Sequence, residues 1–122
     1  DDPALQDSRA RFEAGDIVFA NNIWYSFGAG DTSDSIWQDD FVQTEMAVSN
    51  TIVDPQLVSI DRSPSNGLNP TPTAGSLALN GAVIPTGNNG YNFEDVSYKG
   101  AFAPGENWLK GWTALDFYGF LQ

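Results

Sequence analysis

Turn-forming residues interrupt the chain repeatedly between Ser63 and Gly90. This stretch holds four of the seven prolines and three Asn-Gly pairs. Proline removes a backbone donor and Asn-Gly favours tight turns, so a long helix or strand does not fit here. We therefore predict a wrapping loop over residues 61–90, ordered by packing of its apolar side chains rather than by strand ladders: Leu68, Leu77, Leu79, Val83 and Ile84.

The charge balance restricts the partners of this chain. It carries 5 Lys or Arg against 16 Asp or Glu, a net charge of -11, and the bases are scattered along the sequence. Such a chain repels phosphate backbones and anionic lipid, so we predict no nucleic-acid partner. No apolar run approaches the ~18 residues of a membrane span, so we also predict no membrane insertion.

The residue types restrict the chemistry and the size. With no His and no Cys, the sequence excludes Ser-His-Asp catalysis, Cys-His catalysis and zinc sites built from these ligands. At 122 residues and 41% hydrophobic, the chain has enough apolar material for one folded domain. We predict a single domain over residues 1–122.

The part before the wrapping loop predicts a helix followed by strands. Residues 1–15 contain a short surface helix in this prediction, with an Asp cap, a proline at the first helical position and Gly15 just past the end. Residues 16–60 contain short β-branched and aromatic runs separated by Asn and Asp-Pro corners, which predict strand-rich coils. Within them, a second helix is expected at about residues 35–47, with Trp37, Phe41 and Met46 facing inward.

The last segment is rich in aromatic residues. Residues 91–122 carry nine of the sixteen aromatics of the chain. We predict an aromatic capping tail.

Four motifs resemble the closing turns of secreted bacterial right-handed parallel β-helix proteins of uncharacterised function. They are NNIWY at residues 21–25, VDP at 53–55, AGSLALNGA at 74–82, and YKGAF at 98–102 followed by NWLKGWT at 107–113. The resemblance implies a mainly β fold: the short end of a parallel β-helix solenoid, or a reduced β-module, with one or two short helices and the capping tail. It also implies an extracellular or cell-surface location.

An acidic stretch at residues 31–40 suggests a cation site. It has acids and hydroxyls at several positions of a calcium loop, but Ile36 and Val42 replace the required Gly and Glu, so it is not an EF-hand. A looser calcium site remains open, and the alternative is a solvated helix start. Its ligands would be Asp31, Asp34, Asp39 and Asp40.

The aromatic tail suggests a ligand platform. Trp108 and Trp112 lie four residues apart and would share one face of a helix, with Tyr98 nearby in the sequence. Exposed, these rings would stack on sugars or dock another protein. Buried, they would form core, and we favour the core interpretation.

Catalysis has weaker support in the sequence. A glycosidase pair could come from Glu94, Asp95 and Glu106, whereas a lyase would need Arg62, Lys99 or Lys110 to converge with acids. We therefore interpret the chain as a non-catalytic extracellular structural or cell-surface module, with self-association into filaments as one form. The alternative is an accessory module that binds or processes carbohydrate.

Overall fold

The computed structural model describes residues 7–27, 30–64, 67–85 and 92–121. In chain order the elements are α1 (Ser8–Glu13), β1 (Ile23–Trp24), α2 (Ser33–Ile36), α3 (Asp40–Met46), β2 (Thr51–Ile52), β3 (Leu57–Ser59), β4 (Asn69–Pro72), a 3-10 helix (Leu77–Leu79) and α4 (Ala114–Phe117). Strand accounts for about 14% and helix for about 23%, so the prediction of a mainly β fold is wrong.

The strands form two small sheets. Strands β1 and β2 pair in parallel, with Ile23 opposite Thr51, and β3 and β4 pair antiparallel with one irregularity. Each sheet has two strands, and the described residues contain no solenoid and no stack of sheets. The predicted β-helix end is therefore wrong, as are the strand-rich coils over residues 16–60.

The failure of the solenoid prediction has a local cause. The run at residues 17–20 looked like a buried strand, yet it forms none, and Val18 is 74% exposed. A continuous apolar run is typical of a strand in a sheet whose two faces are both covered, for example by helices. Within the described residues no strand pairs with residues 17–20, so no such sheet forms there.

The predicted helices are present but shorter. Helix α1 begins after Asp7, whose carboxylate accepts the Ala10 N–H at 2.7 Å, and Gly15 follows its end with a φ of 79°. The Asp and Pro residues predicted to start this helix lie outside the described residues. As predicted, it is a surface helix with no buried residue.

The helix expected at about residues 35–47 is divided into α2 and α3. Trp37 ends α2 with non-helical backbone angles. Asp39 then starts α3 by accepting the N–H groups of Phe41 and Val42 at 3.0 and 3.2 Å. An N-cap residue is itself non-helical, so a cap in the middle of the expected helix divides it.

Asparagines join the two parallel strands at their start. The Asn50 side-chain oxygen accepts both the backbone and the side-chain N–H of Asn22, at 3.1 and 2.8 Å. Its amide group donates to the carbonyls of Phe19 and Met46 at 2.7 and 3.0 Å. Asn50 therefore connects the segment before β1, the end of α3 and the start of β2.

The core is small. Ile36, Trp37 and Met46 are buried, and the paired strand residues Trp24 and Ile52 pack against them. The indole N–H groups of Trp24 and Trp37 are buried without an acceptor among the described residues. A buried donor of this kind costs about 1–3 kcal/mol, which reduces the gain from burying the rings.

The wrapping loop is ordered differently from the prediction. β4 lies within it and pairs with β3, although two of its four residues are prolines. Proline is tolerated at a sheet edge, and both strands of a two-stranded sheet are edges. Leu77 and Val83 are 58% and 73% exposed, so packing of these side chains does not order the loop. Instead, the buried Ser76 donates its hydroxyl hydrogen to the Pro55 carbonyl and caps the 3-10 helix.

The C-terminal tail returns to the start of β4. The Leu68 N–H donates to the Phe120 carbonyl at 2.6 Å, and the Asn107 side chain donates to the Leu68 carbonyl at 3.2 Å. Turns and the single helix α4 make up most of the tail. This brings the aromatic segment at residues 102–118 onto the surface beside β4.

Candidate functional site

Two tryptophans in the tail are fixed by hydrogen bonds from their own rings. The Trp108 indole N–H donates to the Ala101 carbonyl at 2.8 Å. The Trp112 indole N–H donates to the Trp108 carbonyl at 2.6 Å. Residues 108–112 form turns rather than the expected helix, so these two bonds, and not helical spacing, set the ring directions.

Three rings stack in an order that leaves one face open. The Phe102 and Trp108 ring centroids lie 5.3 Å apart with planes inclined by 12°, and those of Trp108 and Trp112 lie 6.0 Å apart at 20°. Trp108 lies between its neighbours, so the outer face of Trp112 is the open end of the stack. We call these three rings the aromatic stack.

The stack is on the surface. Trp108 is 48% exposed and Trp112 is 72% exposed, so the core interpretation of these two residues is wrong. Tyr98 is half-buried and does not belong to the stack. The sequence predicted that the two tryptophans share a face, but it did not identify Phe102 as the third ring.

Further exposed apolar residues follow the stack along the chain. The Thr113 hydroxyl accepts the Asp116 N–H and starts α4. Phe117 and Tyr118 come at the end of this helix and are 83% and 67% exposed. We define the C-terminal aromatic surface as Trp108, Trp112, Leu115, Phe117 and Tyr118.

The negative charge of the chain is concentrated in the N-terminal half of the sequence. Residues 1–61 contain twelve acids against Arg9 and Arg11, a net charge of -10. Residues 101–122 contain Glu106, Lys110 and Asp116, a net charge of -1. The residues of the C-terminal aromatic surface therefore belong to a segment with a low net charge.

The four predicted calcium ligands hold local structure. The Asp31 carboxylate accepts the Ser26 N–H, and Asp39 caps α3. Asp34 and Asp40 lie in the first turns of α2 and α3, where a negative charge suits the helix dipole. Among the described residues, no group of three or more acidic side chains is placed to hold a metal ion. Calcium binding stays a prediction.

One tyrosine lies in the field of two of the acids. The negative charge of Asp54 raises the pKa of Tyr25 above its ordinary value of 10.0, with further contributions from a hydrogen bond to Asp54, from partial desolvation and from Asp31. Tyr25 is exposed and its hydroxyl is neutral at physiological pH. The sequence did not indicate this contact.

The residues considered for catalysis lie on the surface. Glu94, Asp95 and Glu106 are all exposed, as are Arg62 and Lys110. Lys99 differs from them because it is half-buried beside the Asn21 side chain. Carbohydrate processing by any of these residues stays a prediction.

A groove beside α1 is a second apolar surface. Its volume is about 690 Å³, and six aromatic rings line it: Phe12, Phe19, Trp24, Phe27, Trp37 and Phe41. The Arg9 guanidinium lies over the Phe41 ring, 4.1 Å from its centroid, and joins α1 to α3 across the groove. Phe19 and Phe27 are 49% and 60% exposed, so this groove is open to solvent.

None of the helices in the described ranges is both long enough and apolar enough to cross a membrane. Comparison with known proteins gives no relative: no family model matches the chain, and neither a curated protein nor a solved structure is similar to it. The resemblance to β-helix ends stays a prediction.

Proposed function

We propose that this chain is a non-catalytic structural module that self-associates through its C-terminal aromatic surface. One observation carries the proposal. Among the described residues, four hydrophobic side chains are buried, whereas sixteen large hydrophobic residues are exposed. Five of these sixteen residues belong to the C-terminal aromatic surface, and large exposed apolar areas mark interaction sites.

The area of this surface is close to what an interface needs. Its four aromatic residues are 48%, 72%, 83% and 67% exposed. At about 200 Å² per aromatic side chain, they present about 540 Å² to solvent. A standard interface buries about 800 Å² on each partner, so these four residues supply about two thirds of it.

A second copy of the chain is the partner that best suits this surface. The open face of Trp112 matches the same face on another copy, so two stacks joined there continue the offset ring packing. Residues 101–122, which carry this contact, have a net charge of -1, so they repel the same segment of a second copy only weakly. A contact between identical surfaces closes at two copies.

Filaments require a second, different surface. The aromatic groove beside α1 is such a surface, and a contact between it and another apolar area would propagate from copy to copy. We propose the two-copy contact as the basic unit and filaments as its extension. A cell-surface location for this assembly is an expectation that comes from the resemblance alone.

Sedimentation velocity over a range of protein concentrations tests the proposal. We expect the wild-type chain to form dimers, and a variant with Trp112→Ala and Phe117→Ala to stay monomeric. Phe93→Ala is the matched control, because Phe93 is an exposed aromatic residue outside the surface, 53% accessible. A wild-type chain that stays monomeric at every concentration contradicts the proposal.

Carbohydrate binding is the second candidate function. It is favoured by the open face of Trp112, whose ring is 72% exposed and held by its bond to Trp108. The C–H face of a sugar ring stacks on an aromatic face of this kind. Because the rings are stacked rather than side by side, the site accommodates one sugar face.

Tryptophan fluorescence against a panel of oligosaccharides tests this second function. A bound sugar shifts the emission of the wild-type chain and leaves a Trp112→Ala variant unchanged. A panel without any response, together with an unchanged melting temperature, contradicts carbohydrate binding and leaves the self-association proposal intact.

A further inference from the structure

A pocket lined by the start of β1, by residues of β3 and β4 and by residues 99–102 contains a half-buried lysine. Its volume is about 410 Å³, within the range of small-ligand sites. Apolar residues make up much of its wall, including Pro55, Leu57, Pro70, Pro72 and Phe102. The charged group in the wall is the ammonium of Lys99.

Lys99 is held in place from two directions. Its backbone N–H donates to the Ala78 carbonyl at 2.7 Å, and its ammonium donates to the Asn21 side-chain oxygen at 2.6 Å. Asn21 is itself fixed, since its amide group donates to the Gly81 carbonyl at 2.5 Å. Asn21 also has a φ of 65°, a left-handed conformation that asparagine tolerates. The ammonium is therefore positioned before any ligand arrives.

The ammonium has spare binding capacity. An ammonium group has three donors, and Asn21 accepts from it. Among the described residues, ion pairs within 4.0 Å form between Arg9 and Glu13 and between Arg11 and Asp16, and none involves Lys99. In a chain with 16 acids and 5 bases, a half-buried cation without a carboxylate partner is unexpected. Hydrogen bonds between an ammonium and a carboxylate are stronger than those between neutral groups, so an anionic ligand suits Lys99.

We propose that this pocket binds a small carboxylate with an apolar body. The carboxylate pairs with Lys99, and the body packs against the prolines, Leu57 and Phe102. A single ammonium balances one negative charge, which suits a carboxylate better than a phosphate dianion.

The polar groups of the wall favour an apolar body over a sugar. The amide group of Asn22 already donates to the Ala20 carbonyl and to Asn50. One of the two N–H groups of the Asn21 amide donates to the Gly81 carbonyl. Sugar hydroxyls would find few free partners here, and unpaired buried hydroxyls weaken binding.

The acidic residues of the chain oppose an anion from outside the pocket wall, because none of the described residues that line the pocket is an Asp or a Glu. Most of them lie in residues 1–61, and at physiological salt the interactions between exposed charges are screened beyond about 8 Å. Contact with Lys99 acts within this distance. The binding test therefore uses physiological salt.

Titration with 3-phenylpropanoate tests the proposal. The control ligand is 3-phenylpropan-1-ol, which has the same carbon skeleton but no charge. Calorimetry on the wild-type chain is expected to show binding of the acid and much weaker binding of the alcohol. In amide NMR spectra the acid is expected to shift Gly100, Ala101 and Phe102, which line the pocket. This part of the test uses only the wild-type chain, so it holds even where a variant fails to fold.

Variants then assign the binding to Lys99. Lys99→Met is expected to lower the affinity for 3-phenylpropanoate by about tenfold to a hundredfold, since it removes one charged hydrogen-bonding group. Lys99→Arg restores part of the affinity, and Lys110→Met, at an exposed lysine of the same tail, leaves it unchanged.

Three outcomes would overturn the proposal. The first is that the wild-type chain does not bind the acid at millimolar concentration. The second is that it binds the alcohol as tightly as the acid. The third is that Lys110→Met lowers the affinity for the acid as much as Lys99→Met does. Tighter binding of glucuronate than of 3-phenylpropanoate would also contradict the apolar body. The Trp112→Ala, Phe117→Ala variant keeps the Lys99 pocket, so loss of self-association and loss of ligand binding are measured separately.

Discussion

Replacing Asn50 tests how the parallel strands are held together. Its side chain makes four hydrogen bonds at 2.7 to 3.1 Å, two with Asn22, one with the Phe19 carbonyl and one with the Met46 carbonyl. Each hydrogen bond contributes about 0.5–1.5 kcal/mol net. Since Asn50 is half-buried, we expect Asn50→Ala to lower the free energy of unfolding by about 3 kcal/mol.

The assay is urea unfolding followed by tryptophan fluorescence. The midpoint should fall while the slope with urea stays constant, and the melting temperature should fall by about 10 °C. Asn80→Ala is the matched control, because Asn80 is exposed and its side chain makes no hydrogen bond to the described residues. We expect this control to change the stability by less than about 0.5 kcal/mol. Equal effects of the two variants would refute the role of Asn50.

Three further predictions concern the acidic residues. Asp39→Ala removes the cap of α3 and is expected to lower the free energy of unfolding in urea by about 1–2 kcal/mol. Asp39→Asn should keep most of this stability, because asparagine is also a good N-cap. Equal losses of stability in the two variants would contradict the role of Asp39 as a cap. Ultraviolet titration should place the pKa of Tyr25 above 10.0 in the wild-type chain and should show a lower pKa in an Asp54→Asn variant. The same pKa in both chains would contradict the contact between Tyr25 and Asp54. Because this pKa is raised on folding, its contribution to stability is present below about pH 10 and is lost as the pH rises through the folded value. If the acidic stretch binds calcium, millimolar calcium raises the melting temperature of the wild-type chain, and an Asp31→Asn, Asp39→Asn variant does not show this rise. An equal rise with magnesium would contradict the calcium prediction.

The sequence predicted local features better than their arrangement. Gly15 ends α1, and Trp37 and Met46 face the core, because caps and apolar spacing act over a few residues. The sequence also placed Asn corners between the short runs of residues 16–60, and in the structure two of these asparagines, Asn22 and Asn50, are hydrogen-bonded to each other. These features depend on residues close in the sequence, or on asparagines at chain corners, so the sequence alone indicates them.

The wrong predictions share a dependence on distant partners. The run at residues 17–20 has strand-like residues but no strand beside it, and β4 pairs with β3 in spite of its prolines. Asp39 caps α3, and because a capping aspartate and a liganding aspartate have the same local pattern, calcium binding stays a prediction. The sequence alone does not show which partner an exposed or buried side chain will meet.

The candidate site was found in part. The spacing of Trp108 and Trp112 indicated a shared face, and the structure brings the two rings together through turns and indole hydrogen bonds. Their exposure could not be predicted, since the same aromatic residues serve as core or as surface. Lys99 was noted only as an isolated base, because its contact with Asn21 joins residues 78 positions apart.

The most direct test of self-association observes the contact between copies. In a mixture of isotope-labelled and unlabelled chains, isotope-filtered NMR detects only contacts between different molecules. The account predicts intermolecular contacts of the Trp112 ring with aromatic rings of the C-terminal aromatic surface of a second copy. Intermolecular contacts confined to the groove beside α1, or none at a concentration where the chain sediments as a dimer, would contradict it.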